Sequence, residues 1–333
     1  MLATFHPAYF GLVMATGMVS IACALLGVNP IGRVLLFANS AFYVVLWVLT
    51  VSRLLRHRER VLADLTHHGR AVGFFTAVAA TSVLGSQWLL ISGTWRLAAA
   101  LWAMSIVFCV VTTYTVFTIL TVTHRKPTLD EGINGGWLVS VVAAQSVVVL
   151  GTQLAPGFAG RAPQVLLFCL ATWLGAGMLY IWIISLIFYR YTFFVMQPSD
   201  LTPPYWINMG AVAISTLAGS LLALASPHSR LLTELLPFIK GLTLMFWATA
   251  TWWIPMLVIL SAWRHLYRRY PLRYDPLYWG AVFPLGMYAV ATLRLAQALD
   301  ASVLLAIPRV FVFVALAAWS LAIVGLVRQI ARW

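Results

Sequence analysis

Ten stretches of about 20 or more predominantly apolar residues follow one another along the chain, separated by short segments rich in turn residues and charge. A hydrocarbon core of about 30 Å takes ~20 helical residues to cross. Within lipid, helices and closed barrels alone satisfy their backbone hydrogen bonds. The runs are too long for barrel strands and predict helices at roughly 8–27, 32–54, 71–91, 96–119, 135–155, 163–188, 204–224, 236–260, 276–297 and 302–328. Residues 1–333 therefore read as a single transmembrane domain, an all-α polytopic membrane protein with ten transmembrane helices.

Composition agrees. Only 9% of residues are charged, where a soluble domain carries roughly a quarter. The start, MLATFHPAYF, lacks a basic segment before an apolar core, so no cleaved leader is expected. The net charge of +13 would suggest nucleic acid in a soluble protein. Here topology explains it: fourteen of the 21 Lys and Arg residues fall in alternate loops and at the C-terminal end. The positive-inside rule then places both termini in the cytoplasm, in a multi-pass protein of a cell membrane (inner or plasma). Lipid, not nucleic acid, is the expected surrounding.

The odd-numbered helices share an opening. Helix 1 begins Pro7-Ala8-Tyr9-Phe10, helix 7 Pro203-Pro204-Tyr205-Trp206 and helix 9 Pro276-Leu277-Tyr278-Trp279. Helices 3 and 5 match more weakly through Phe74-Phe75 and Gly136-Trp137. Five residues beyond the first member of each pair stand Met14, Ala79, Val141, Gly210 and Phe283. Eight residues beyond it stand Gly17, Ser82, Ala144, Ala213 and Gly286, all small. Such parallel repeats imply an axis along the membrane normal, hence five helical hairpins in a quasi-five-fold arrangement around a central pore lined by the odd helices. These residues, with Ser20, Gln145 and Thr216, are the candidate pore lining. Two alternatives stand beside that reading: small residues let membrane helices pack closely, and Ser and Thr bond back to their own helix.

The eight Asp and Glu residues all fall in expected loops or helix ends. Cation carriers and proton relays place carboxylates within the membrane, so both are disfavoured. The seven histidines also sit at or beyond helix ends, Cys23, Cys109 and Cys169 lie in apolar runs without metal-ligand spacing, and no nucleophile constellation occurs. Neither an enzyme, a metal site nor a cofactor is expected. Three cations, Lys240, Arg294 and Arg309, fall inside predicted helices toward their outer ends. They attract anions to an outer vestibule, or they snorkel to lipid phosphate or pair with Glu234 or Asp300. Snorkelling is preferred for Lys240, the vestibule for Arg309, and neither for Arg294. Phe283-Pro284 puts a proline bend beside a bulky aromatic at the level of Met14 and Gly210. A hydrophobic plug of this kind gates by excluding water.

The segments HPAYFGLVMATGMVSIA in helix 1 and YWGAVFPLGMYAVATLRLA in helix 9 resemble the tellurite-resistance/C4-dicarboxylate transporter family. That family includes slow-type anion channels, malate permeases and sulphite exporters. The resemblance implies five hairpins around a pore, a homotrimer, and a role for Phe283 as the pore-occluding phenylalanine. It implies passage of small anions, inorganic or C4-dicarboxylates such as malate. A proton-coupled dicarboxylate or sulphite transporter is the alternative. The long cytoplasmic tails of the plant channels are missing, which places regulation through them in doubt.

Overall fold

The computed structural model describes residues 2–331; Arg332, one of the cations assigned to the C-terminal end, lies outside them. The described residues are helical wherever they are regular, and ten helices are long and apolar enough to cross a membrane. Their α-helical cores are α1 (Gly11–Leu25), α2 (Asn29–Arg56), α3 (Phe75–Ser92), α4 (Trp95–Val122), α5 (Val139–Leu154), α6 (Ala162–Phe193), α7 (Ile207–Leu224), α8 (Leu236–Ala262), α9 (Trp279–Leu299) and α10 (Ala306–Ile330).

Each of the five odd helices opens with a 3-10 turn: Pro7–Phe10, Val72–Phe74, Gly135–Leu138, Pro203–Trp206 and Pro276–Tyr278. These turns coincide with the aligned aromatic pairs, including the two weaker ones. Three contain proline in the first turn, where a missing N–H costs nothing. At Gly135–Leu138, which has no proline, a side chain caps the turn: Asn134 accepts from the Gly136 N–H at 2.8 Å. Gly135 is required because the backbone of Pro204 and Tyr205 occupies the place its Cβ would take.

The odd helices pack in a closed sequence of neighbours, α1 on α3, α3 on α5, α5 on α7, α7 on α9, and α9 on α1. Each even helix lies against its own hairpin partner and against the next odd helix. An aromatic polar group fastens each of these second seams. Tyr43 on α2 bonds Thr81 at 2.8 Å, Trp102 on α4 donates to the Val147 carbonyl, and Trp173 on α6 donates to the Ser215 carbonyl. Trp247 on α8 donates to Thr292, and Trp319 on α10 donates to Thr16. Such rings bury a large apolar face while giving their single polar hydrogen a partner.

The charged segments differ from the loops expected. Residues 58–66 form a helix, Arg58–Thr66, in place of a loop. Asp64 on it is buried and bridges Arg53 at 2.7 Å and Arg70 at 2.5 Å. Burial would raise the Asp64 carboxyl, but its hydrogen bonds to Arg70 and Arg53 outweigh that and hold it below the ordinary carboxylate value. At the end of α8 the chain continues in a π turn, Trp263–Tyr267. There Arg264 is buried, donates to the Leu201 carbonyl and lies over the Tyr270 ring. Arg190, at the end of α6, is buried and donates to the Tyr205 hydroxyl. Thus three buried arginines counted as loop charge, Arg53, Arg190 and Arg264, pin the segments that lead into inner helices. A buried cation needs such partners.

Candidate functional site

Two cavities lie along the line enclosed by the odd helices. The first, about 130 Å³, opens at the end of the bundle where the odd helices begin. All five contribute: Gly11 and Met14 from α1, Thr76 from α3, Val139 and Val142 from α5, Ile207 from α7, and Gly280 and Phe283 from α9. His6, Asn134 and Thr202 line its mouth. The second lies further along the same helices and holds only about 10 Å³, roughly the space of one water. Its walls include Met18 and Ile21, Val83 and Ser86, Ser146 and Val149, Ile214 and Leu217, and Met287 and Val290, with Gln153 and Arg294 at the far end.

On α1, α5 and α9 the lining advances one turn at a time. From Met14 the wall of α1 continues through Met18, Ile21 and Leu25. At 100° per residue these fall within about 40° of one line. Phe283, Met287, Val290 and Arg294 repeat that spacing on α9, and Val139, Val142, Ser146, Val149 and Gln153 repeat it on α5. Met14 and Phe283 border the first cavity, while Met18 and Met287, one turn on, border the second. Phe283 is 1% exposed, so the aromatic ring is enclosed at the inner end of the first cavity.

Of the residues expected to line the pore, Met14 and Phe283 border a cavity. On α5 the wall residue is Val142, the neighbour of Val141. Gly17 lies about 60° around the helix from Met14, and the small residues at the eight-residue step precede the cavity-bordering Met18, Val83, Ile214 and Met287 by one position and Ser146 by two. Gly17 and Gly286 face adjacent helices. A Cβ on Gly17 would meet Val83 at 2.5 Å and Asn39 at 3.0 Å; one on Gly286 would meet the backbone of Met18 at 3.2 Å. Ser82 and Ala213 are fully buried, and Ala144 partly so, with Ser146 forming the wall of α5. Gly210 faces α9, where a Cβ would stand 2.7 Å from the Pro284 ring. Ala79 shares the level of Met14 and is buried.

The polar candidates turn away too. Ser20 donates to the Gly32 carbonyl and accepts from Gln87, which also accepts from Asn39. Gln145 donates to the Trp173 carbonyl on α6, and Thr216 bonds back to Val212. Among the three intrahelical cations, Arg294 borders the second cavity. Arg309 is exposed on α10 and Lys240 half-buried on α8, both on the outer layer. The pairing expected with Glu234 or Asp300 does not form, since Glu234 bridges Arg230 at 2.8 Å.

Sequence reasoning missed His6, Thr76, Asn134 and Thr202 at the first cavity and Ser86 and Gln153 at the second. The signal was available: the Asn and Thr stand immediately before their 3-10 turns, and Ser86 and Gln153 occupy successive levels of the repeat. His6 also precedes its turn, accepting the Ala8 N–H at Nδ1, 3.0 Å away. Burial, reinforced by the Arg70 charge, lowers its pKa to about 4. The ring is then neutral near pH 7, and with Nδ1 accepting, Nε2 carries the proton.

No carboxylate lines either cavity among the described residues. Instead, the N-terminal ends of five inner helices surround the first one. Helix N-termini carry partial positive charge, about half a unit each. The cavity therefore presents a positive field, hydroxyl and amide groups, and no fixed negative charge.

Comparison with known proteins accords with this geometry. The profile of the voltage-dependent anion channel family matches residues 4–327. An uncharacterized membrane protein of Mycobacterium tuberculosis is 40% identical over 154 residues, covering 46% of this chain and 77% of that protein. An uncharacterized transporter of Methanocaldococcus jannaschii is 23% identical over 298 residues, covering 86% of this chain and 84% of that protein. A second transporter of the same archaeon is 22% identical over 298 residues, with 86% and 82% covered.

Proposed function

The chain belongs to the voltage-dependent anion channel family, whose members carry anions across a membrane, and on that premise we propose that its five inner helices form a passage for small anions closed by Phe283. The observation that carries the reading is the convergence of five helix N-termini on a cavity that ends at a buried aromatic ring. Partial positive charge and donors draw in an anion without binding it tightly, a condition for flux. Beyond the ring the passage is nearly closed, so conduction requires Phe283 to move. Pro284 interrupts the helical hydrogen bonding beside it, which gives this point of α9 a softness the rest lacks.

Candidate substrates are chloride, nitrate, sulphite and C4-dicarboxylates such as malate. The five hairpins form one quasi-five-fold transmembrane domain over residues 1–333. The protein resides in the inner or plasma membrane as a homotrimer with both termini in the cytoplasm. Its first cavity then opens to the cytoplasm, and Arg294 lies toward the outer face.

Replacing Phe283 by Ala should raise anion conductance in planar bilayers by about tenfold or more, equal to ~1.4 kcal/mol removed from the barrier. Conductance equal to wild type would overturn the gate. Proton-coupled transport is the second reading. His6 is the one ordinary acid–base side chain bordering the first cavity among the described residues, and it stays neutral until about pH 4. Uptake into liposomes should therefore follow the anion's own gradient and ignore a pH gradient between pH 6 and 8.

A further inference from the structure

The second cavity contains a polar arrangement that the gate does not use. Ser86 on α3 borders it, is 2% exposed, and its hydroxyl has no hydrogen-bond partner. A buried donor without an acceptor is unfavourable unless a ligand or water completes it. Nearby Ser146 on α5 is different, since it donates to the Ala143 carbonyl at 2.7 Å. One level beyond Ser86 stand Gln153 on α5 and Arg294 on α9. The Gln153 side-chain oxygen is buried and likewise without a partner. An amide that turns over presents N–H donors in its place. Arg294 donates to Gln297 at 2.9 Å and forms no ion pair with a carboxylate among the described residues. An intramembrane cation in a cavity, without a carboxylate, is a site that lacks its anion.

We propose that Arg294, Ser86 and Gln153 form a binding site for a small inorganic monoanion of halide or nitrate size, placed beyond the Phe283 constriction. The guanidinium supplies charge and a planar set of donors. The Ser86 hydroxyl supplies a directed donor from another helix. The apolar remainder of the wall, Met18 and Val83 among it, keeps water away and strengthens both. Size sets the ligand class: a space near 10 Å³ admits a one-water-sized ion with slight side-chain movement. A four-carbon dicarboxylate would have to displace the helices. The inference rests on the proposed anion passage and narrows its substrate.

Binding and flux separate the two. Thermal stability of the purified protein is measured in chloride, nitrate, malate or gluconate at constant ionic strength. Wild type should gain stability from chloride and nitrate over gluconate and malate. Arg294→Gln should weaken that binding by roughly tenfold or more, Ser86→Ala by several-fold, and Arg294→Lys should retain part of it. In a Phe283→Ala background, Arg294→Gln should also reduce chloride over malate permeability. The proposal is overturned if both Arg294→Gln and Ser86→Ala keep the wild-type chloride dependence, or if wild type responds to malate as strongly as to chloride. If Phe283→Ala conducts no anion, the passage reading fails and the binding measurement still decides the site. Ser86→Ala, a loss of one oxygen, keeps the test available should Arg294→Gln not fold.

Discussion

The inner and outer helices are built from similar hydropathy and end in opposite surroundings. Mean hydropathy spans 1.3–1.8 over the five odd spans and 1.6–2.6 over the five even ones, yet 67–94% of residues are buried in the first set and 17–39% in the second. The outer spans are the more apolar as a set, but the two ranges meet and the difference is small beside the difference in burial, because lipid is as apolar as a leucine. Side-chain size and polarity do. α1 contains Gly11, Gly17 and Ser20 within one inner helix, whereas α2 shows Val34, Phe37, Val44 and Val48 to the outside. Small residues permit backbones to approach, and donors that lipid would strand find partners on neighbouring helices. The tryptophans and Tyr43 that bridge the layers follow the same logic in reverse: each outer helix spends its polar group inward.

That contrast can be broken at its joints. The largest effect is expected where an outer helix is tied to the start of an inner one. Asp64→Asn leaves Arg53, 4% exposed, without its carboxylate, and breaking a buried pair costs about 3 kcal/mol. The loss is read as a lower midpoint in thermal unfolding monitored by tryptophan fluorescence. The same pair fixes the sign of an acid effect. The Asp64 pKa is depressed by its arginines, so its contribution is complete above the ordinary carboxyl value near 3.8. It disappears as pH falls through the depressed value. Wild type should thus lose stability in that acid window, and Asp64→Asn should lose less across it.

Next is the packing between inner helices. Gly210→Ala drives a methyl to 2.7 Å from the Pro284 ring and should destabilise by about 1–3 kcal/mol. It should also alter the current of Phe283→Ala, since the displaced proline adjoins the gate. The smallest effect belongs to the outer layer. Gly241 on α8 has nothing within 4 Å of its would-be Cβ, so Gly241→Ala should stabilise by ~0.5–1 kcal/mol through helix propensity. A loss of stability at Gly241, or none at Gly210, would erase the distinction between the layers. Both substitutions are compared by the same unfolding midpoints.

How far the sequence carried varies from residue to residue. Phe283 and Met14 were legible because an aromatic and a proline stand out at one level of a visible repeat. Gly17, Ser82 and Gly286 were equally legible as small. Smallness, however, serves helix contact and pore lining alike, and 60° of helix rotation decides between them. Arg309 and Arg294 are each a lone cation in an apolar run, and the sequence favours Arg309 for the vestibule. Only the packing of α9 inside and α10 outside assigns them different surroundings. Asp64 was read as loop charge because its partners, Arg53 and Arg70, belong to segments whose approach is a tertiary fact.

The sequence by itself determined that the chain crosses a membrane, that it does so about ten times, and that alternate helices share a common beginning. Those properties follow from local chemistry: apolar length against bilayer thickness, and prolines and aromatic pairs at helix starts. The tertiary structure decided which face of each inner helix meets the enclosed line and which cation is turned toward it. It also decided that the Ser86 hydroxyl at the second cavity is left without a partner. These depend on the rotation of one helix against another, and apolar runs that lipid accepts on every side do not encode that rotation until their small residues are packed.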